Sequence, residues 1–326
     1  MDEWTPAIIF NSGVLAHAIA AADQFGVFEE LDRADSLNMR LQDYAEQDRS
    51  FVRHTLELLA IVEVVIEVDT DVWTKGAMFD QYAAMKGFFS WLFAGSGAAL
   101  VYAAHPAKSS RGTDPVRRES GIIARSTGDF GKAMLDPVVA SFPEVAGANK
   151  VADLGCGDAS RLIHIRRECG AAGLGVDLSS EAVERARANI LSTGYRQEIE
   201  VTVADVRVLS RTTLDPDVDT VTCCLMGHDL WPRPTCVSSL REIRAAFPNA
   251  DRLVLLETVR AETAKRVTDG IPSLGYEYLH EAMGQYIPGL DEWLEVLPDG
   301  GWRVDRVVPV SVPSSTYAFI CMRLEI

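Results

Sequence analysis

The spacing of apolar and polar positions changes near the middle of the chain. From Ala7 to Leu31 the apolar residues Ile8, Val14, Leu15, Ala18, Ile19 and Ala22 recur at helical intervals, and the spacing predicts a helix broken near Gly26. Residues 48–63 repeat the helical pattern through Phe51, Leu56, Leu59 and Ile61, and residues 64–76 alternate as a short hairpin. Beyond this region short apolar runs take over. The stretches starting at Val151 and Leu174 read as strands, Ile199 to Val206 alternates, Val218 to Trp231 opens with a run suited to a strand buried on both faces, and Arg252 to Val259 repeats that run. Helical spacing at Glu181–Leu191 and Thr235–Phe247 separates them, so this half predicts an α/β fold with a doubly wound sheet.

The 326 residues suit two domains rather than one. The expected division is a mainly helical domain at 1–105, a helical linker at 106–145 and a sheet domain at 146–326. A net charge of −16 argues against nucleic acid as a partner, because a phosphate backbone calls for clustered lysine and arginine. The start Met1-Asp-Glu-Trp4 is acidic and lacks the form of a signal peptide, and no stretch reads as a membrane span. Six cysteines without a C-x-x-C pair read as reduced and buried, which fits a cytoplasmic location. One basic stretch, Lys108 to Lys132, contains Arg111 and Arg125, candidates to bind a carboxylate bidentately.

The candidate chemistry starts at Gly155-Cys-Gly157, at the carboxyl end of the first strand of the sheet domain. A glycine turn there lets a ligand approach the backbone, and Asp177 at the end of the next strand suits the two hydroxyls of a ribose. A dinucleotide fingerprint needs a third glycine, where this chain has Ser160. With Asp153 two residues before the first glycine, the stretch instead resembles the (D/E)-x-G-x-G motif of the class I S-adenosylmethionine (SAM) methyltransferases. The resemblance implies a Rossmann-like sheet and SAM as cofactor. Asp153, Gly155 and Gly157 would then meet its methionine part, Asp177 and Leu178 its ribose side, and Asp205 and Val206 its adenine.

Residues 18–31 and the hairpin ending in Thr74-Lys-Gly76 resemble the winged-helix dimerisation domain of small-molecule methyltransferases. That resemblance implies a homodimer and a small-molecule acceptor.

His228-Asp-Leu-Trp231 follows the fourth strand, and Glu257 ends the fifth. In O-methyltransferases of this kind a histidine so placed is the general base for a hydroxyl, oriented by a glutamate after the next strand. Met226 to Pro232, read with His280 to Pro288, more closely resembles the α-keto acid C-methyltransferases. In their metal-dependent members two histidines hold an iron, and His228 and His280 match those ligands. Leu225 stands where such relatives have a thioether ligand, which leaves Met226, Asp229, water or the substrate to complete the set. The carbon beside a ketone attacks a methyl group only after it enolises, and a Lewis acid on the keto oxygen stabilises the enolate. The expected catalytic residues are therefore His228, His280, Asp229 and Glu257, with Trp231 against the acceptor and iron or another divalent metal as a further ligand. Phe88, Phe89, Trp91 and Phe93 read as core, as subunit interface or as an acceptor pocket.

Overall fold

A computed structural model describes residues 4–33, 38–104, 118–211, 215–260, 273–310 and 314–325. Contacts divide them into two compact units, one holding the residues up to 104 with 118–130 and the other those from 131 onward. The segment expected as a linker is thus shared. Residues 118–130 belong to the first unit and 131–145 to the second, while 106–117, with Arg111, lie outside the described residues.

The first unit begins with the helix Pro6–Gln24, whose first turn is capped by Thr5 Oγ1 accepting from the Ile8 N–H at 3.2 Å. The expected break falls at Phe25 and Gly26, before the short helix Val27–Asp32. After the helix Glu46–Ile61, strands β2 (Val65–Asp69) and β3 (Val72–Lys75) form the expected hairpin, and β1 (Met39–Arg40) adds to its β3 side. Phe28, Leu31, Leu56, Leu59, Trp73 and Phe79 are its packed centre. Phe88 and Trp91 are buried in this unit, and Phe88 stacks on Phe130 with ring centres 4.5 Å apart.

One expectation needs correction here. The helix Pro6–Gln24 is long and apolar enough, by length and composition, to pass as a membrane span. Its apolar residues are spread around the helix rather than gathered on one face. Ala18, Ile19, Ala20 and Ala22 are buried among the first unit's own side chains, while Ile9 and Phe10 stay exposed.

The second unit is built on a seven-stranded sheet. Its strands are β4 (Lys150–Leu154), β5 (Ala172–Asp177), β6 (Ile199–Val203), β7 (Thr220–Cys224), β8 (Arg252–Thr258), β9 (Trp302–Val310) and β10 (Thr316–Arg323). They lie in the order β6-β5-β4-β7-β8-β10-β9. The first five run parallel, joined by helices that include Ser160–Cys169, Ser180–Thr193 and Arg233–Ala246. Every residue of β7 is buried, as its apolar run requires when helices cover both faces. Strands β9 and β10 add an antiparallel edge that the apolar pattern did not signal, because β9 is largely half-exposed and mixes charged with apolar residues. Trp293, Trp302 and Phe319 fill the core beneath this edge. Cys156, Cys223, Cys224, Cys236 and Cys321 are buried as free thiols.

The order reverses between β4 and β7, and an open α/β sheet leaves a crevice at the carboxyl ends of the strands at such a point. Both groups of candidate residues lie at that edge.

Candidate active site

The turn after β4 has the backbone that its glycines allow. Gly155 and Gly157 both have positive φ, 72° and 54°, and a Cβ on Gly157 would meet nothing within 4 Å. The space above that glycine is open to a ligand. The Asp177 carboxylate closes the turn from β5, with Oδ2 accepting from the Gly157 N–H at 2.9 Å and Oδ1 from the Ser179 N–H at 2.9 Å. Beside it Leu178 is 63% exposed, an apolar surface that the fold leaves without a cover. These features fit SAM: a bare backbone cradle, a carboxylate at the end of the next strand beside it and an exposed apolar side chain for the nucleoside.

Asp153 is fully buried beneath the turn. Arg161 Nη1 donates to both of its oxygens at 3.1 Å, and Thr222 Oγ1 donates to Oδ1 at 2.7 Å. Arg161 also pairs with Asp136, whose carboxyl is pushed up by burial against the opposing pull of Arg161. Asp153 is thus committed to Arg161 and Thr222 beneath the turn, and Arg161 is a residue the sequence did not single out. Asp205 lies beyond the end of β6, gripped by Arg207 through Nε at 2.9 Å and Nη2 at 2.8 Å, and those hydrogen bonds lower its pKa. The neighbouring Val206 is buried.

The histidines come together on the other side of the crevice. Strand β7 ends earlier than its apolar run suggests, because Leu225 turns into the left-handed region at φ 52°, a conformation a branched side chain rarely takes. A single 3-10 turn, Gly227–Leu230, follows and carries His228. The Met226 side chain packs over Gly155, within 3.1 Å of where a Cβ would stand, so the histidine turn and the glycine turn adjoin.

His280 reaches the same place from the helix Ser273–Ala282, and the two imidazoles meet edge to face with centres 4.8 Å apart. Both are buried. Glu257, fully buried near the end of β8, takes the His228 backbone N–H on Oε2 at 3.0 Å and has Oε1 3.2 Å from His228 Nδ1. Tyr276 stands over the pair, its hydroxyl 3.0 Å from His228 Nδ1 and 3.3 Å from Glu257 Oε1. Burial, reinforced by the Glu257 charge, holds its phenol well above the ordinary tyrosine pKa.

The segments 226–232 and 280–288 are in contact. Gln285 Nε2 donates to Asp229 Oδ1 at 2.8 Å, and Trp231 meets the Tyr286 ring at 5.5 Å and Trp293 at 5.7 Å. Arg125 lies in the first unit and donates to Gln24 Oε1 at 2.6 Å. Among the described residues no group of three or more histidine, cysteine, aspartate or glutamate side chains is arranged to hold a metal. Asp229 Oδ1 is 3.9 Å from His228 Nε2, and two imidazoles with one carboxylate at that distance make a poor fit for iron.

Comparison with known proteins places the chain among methyltransferases. A family model described as a methyltransferase domain matches residues 151–248. Methyltransferase ungE' of Aspergillus campestris (strain IBT 28561) is 33% identical, with 93% of this chain and 94% of that protein covered. An indolepyruvate C-methyltransferase of Streptomyces griseus is 29% identical, over 96% of this chain and 93% of its own. Among solved structures, human N-acetylserotonin methyltransferase in complex with SAM superposes with a TM-score of 0.71 at 15% identity, covering 100% of both chains.

Proposed function

The chain belongs to the SAM-dependent methyltransferases, and on that premise we propose that it methylates the carbon beside the ketone of an α-keto acid, an arylpyruvate or similar, in natural product biosynthesis. The observation that carries this reading is the pair of buried imidazoles 4.8 Å apart beside the glycine turn. Deprotonating a hydroxyl needs one base. Enolising a ketone needs a base at carbon and a partner for the charge that collects on oxygen, and two imidazoles supply both.

Bound SAM supplies an electrophilic methyl group on a sulfonium. The Gly155 to Gly157 turn and Asp177 would hold it, with Leu178, Asp205 and Val206 on its nucleoside side. His228 Nε2 takes the proton from the substrate carbon, and the buried Glu257 carboxylate stabilises the imidazolium that forms. The electron pair moves to the keto oxygen, which His280 Nε2, basic at rest, meets with an N–H once it has taken a proton from water, while its Nδ1–H stays on the Tyr276 carbonyl. The enolate carbon then attacks the methyl, a carbon–carbon bond forms as the carbon–sulfur bond breaks, and the proton on His228 passes to water. Asp229 and Trp231 line the acceptor side. No step needs a metal.

O-methylation is the second reading, favoured by the His228–Glu257 pair, which alone suffices to deprotonate a phenol or enol. Incubation with methyl-labelled SAM and a panel of pyruvates, phenols and indoles separates the two. The keto acid reading expects the label on carbon and loss of turnover in both His228→Ala and His280→Ala. Label on a phenolic oxygen, with His280→Ala still active, overturns it in favour of O-methylation.

We also propose that the first unit is a winged-helix domain that pairs two copies of the chain in the cytoplasm. Trp4, just before the helix Pro6–Gln24, and Ile9 and Phe10 within it are exposed, and large exposed apolar side chains favour an interface.

A further inference from the structure

We propose that Tyr276 is a positioning residue that sets the tautomer of both active-site histidines, one through its hydroxyl and the other through its backbone carbonyl. The functional consequence rests on the keto acid reading above; the tautomers themselves do not.

His280 Nδ1 lies 2.7 Å from the Tyr276 carbonyl oxygen. A carbonyl only accepts, so His280 Nδ1 carries the hydrogen and its Nε2 is the basic nitrogen. His228 requires one more step, because a phenol both donates and accepts. If the Tyr276 hydroxyl donated to His228 Nδ1, that nitrogen would present a lone pair to Glu257 Oε1 at 3.2 Å, with no hydrogen between them. The Glu257 carboxylate is already committed as an acceptor, taking the backbone N–H groups of His228 and Thr258 at 3.0 and 3.1 Å. The arrangement that leaves no such clash has His228 Nδ1–H shared between Glu257 and the phenol oxygen, with the phenol hydrogen directed at Glu257 Oε1. In both rings Nε2 is then basic, and one residue has specified it in both.

The placement is economical in sequence. Tyr276 and His280 are four residues apart on one helix, so they share a face, and the Tyr276 ring lies 4.1 Å from the His280 ring.

The test is the full-length enzyme labelled with 15N-histidine, whose imidazole nitrogen shifts report the tautomer of each ring, assigned with His228→Gln and His280→Gln. The wild type is expected to show Nδ1–H for both rings. Tyr276→Phe keeps the ring and the carbonyl and removes only the hydroxyl. It is expected to give His228 a mixture of tautomers, leave His280 unchanged and lower kcat about 100-fold with KM little altered. His280 thus serves as an internal control that the variant is folded. Wild-type His228 carrying its hydrogen on Nε2 overturns the proposal, and so does a Tyr276→Phe enzyme with His228 and kcat both unchanged. Tautomers as expected in an enzyme that methylates only oxygen would sink the keto acid reading and leave this assignment standing.

Discussion

Gly227 is where backbone geometry and site chemistry meet most closely. A Cβ there would stand 2.9 Å from Leu255 Cδ1, 3.0 Å from the Trp293 ring and 3.1 Å from Glu257 Oε2, so only glycine lets the His228 backbone N–H reach the buried carboxylate. Gly227→Ala is expected to cost about 1–3 kcal/mol of stability by overpacking and to lower turnover more than SAM affinity. Thermal melts and SAM titration check both, and an alanine variant with wild-type turnover would contradict the crowding. At this scale the sequence was informative but incomplete. His228, His280 and Glu257 stood out by residue type and by their place after strands, whereas Tyr276 did not, because a lone tyrosine on a helix carries no signal until its four-residue spacing from His280 is noticed. Arg161 was silent for a related reason. An arginine on a helix is usually solvated, and only the buried Asp153 and Asp136 show why this one is not.

Between elements, Asp177 does two things at once. Its Oδ2 ties the turn after β4 to the end of β5, and the same carboxylate faces the place proposed for a ribose. Asp177→Ala is expected to weaken SAM binding by about 10- to 100-fold, the loss of one or two hydrogen bonds to a charged group, with titration calorimetry as the measure. Unchanged affinity would remove the carboxylate from the binding site. The parallel strands were legible from their buried apolar runs, and the hairpin of β2 and β3 from its alternation. Strand ends were less so. The apolar run after Val218 continues into Leu225 and Met226, but the positive φ of Leu225 takes the chain out of the sheet one residue after Cys224. The edge hairpin of β9 and β10 went unseen because β9 has too little burial to write a pattern.

Across the molecule, the proposed pairing of two chains makes the exposed helix start the place to intervene. Phe10 is 73% exposed, so Phe10→Glu removes no internal packing and is expected to shift the mass seen by light scattering from two chains to one. A wild type that already runs as a single chain would end the proposal.

The cysteines lend the second unit a built-in reporter. Burial pushes the Cys224 and Cys236 thiols up to about 12, and only the thiolate attacks an alkylating reagent. A maleimide added to the native enzyme should therefore mark Cys169, the half-exposed one, and reach the remaining sulfurs of this unit at the pace at which its sheet opens. Counting adducts over time would turn sealed sulfur into a clock for how often the catalytic half lets go of its shape.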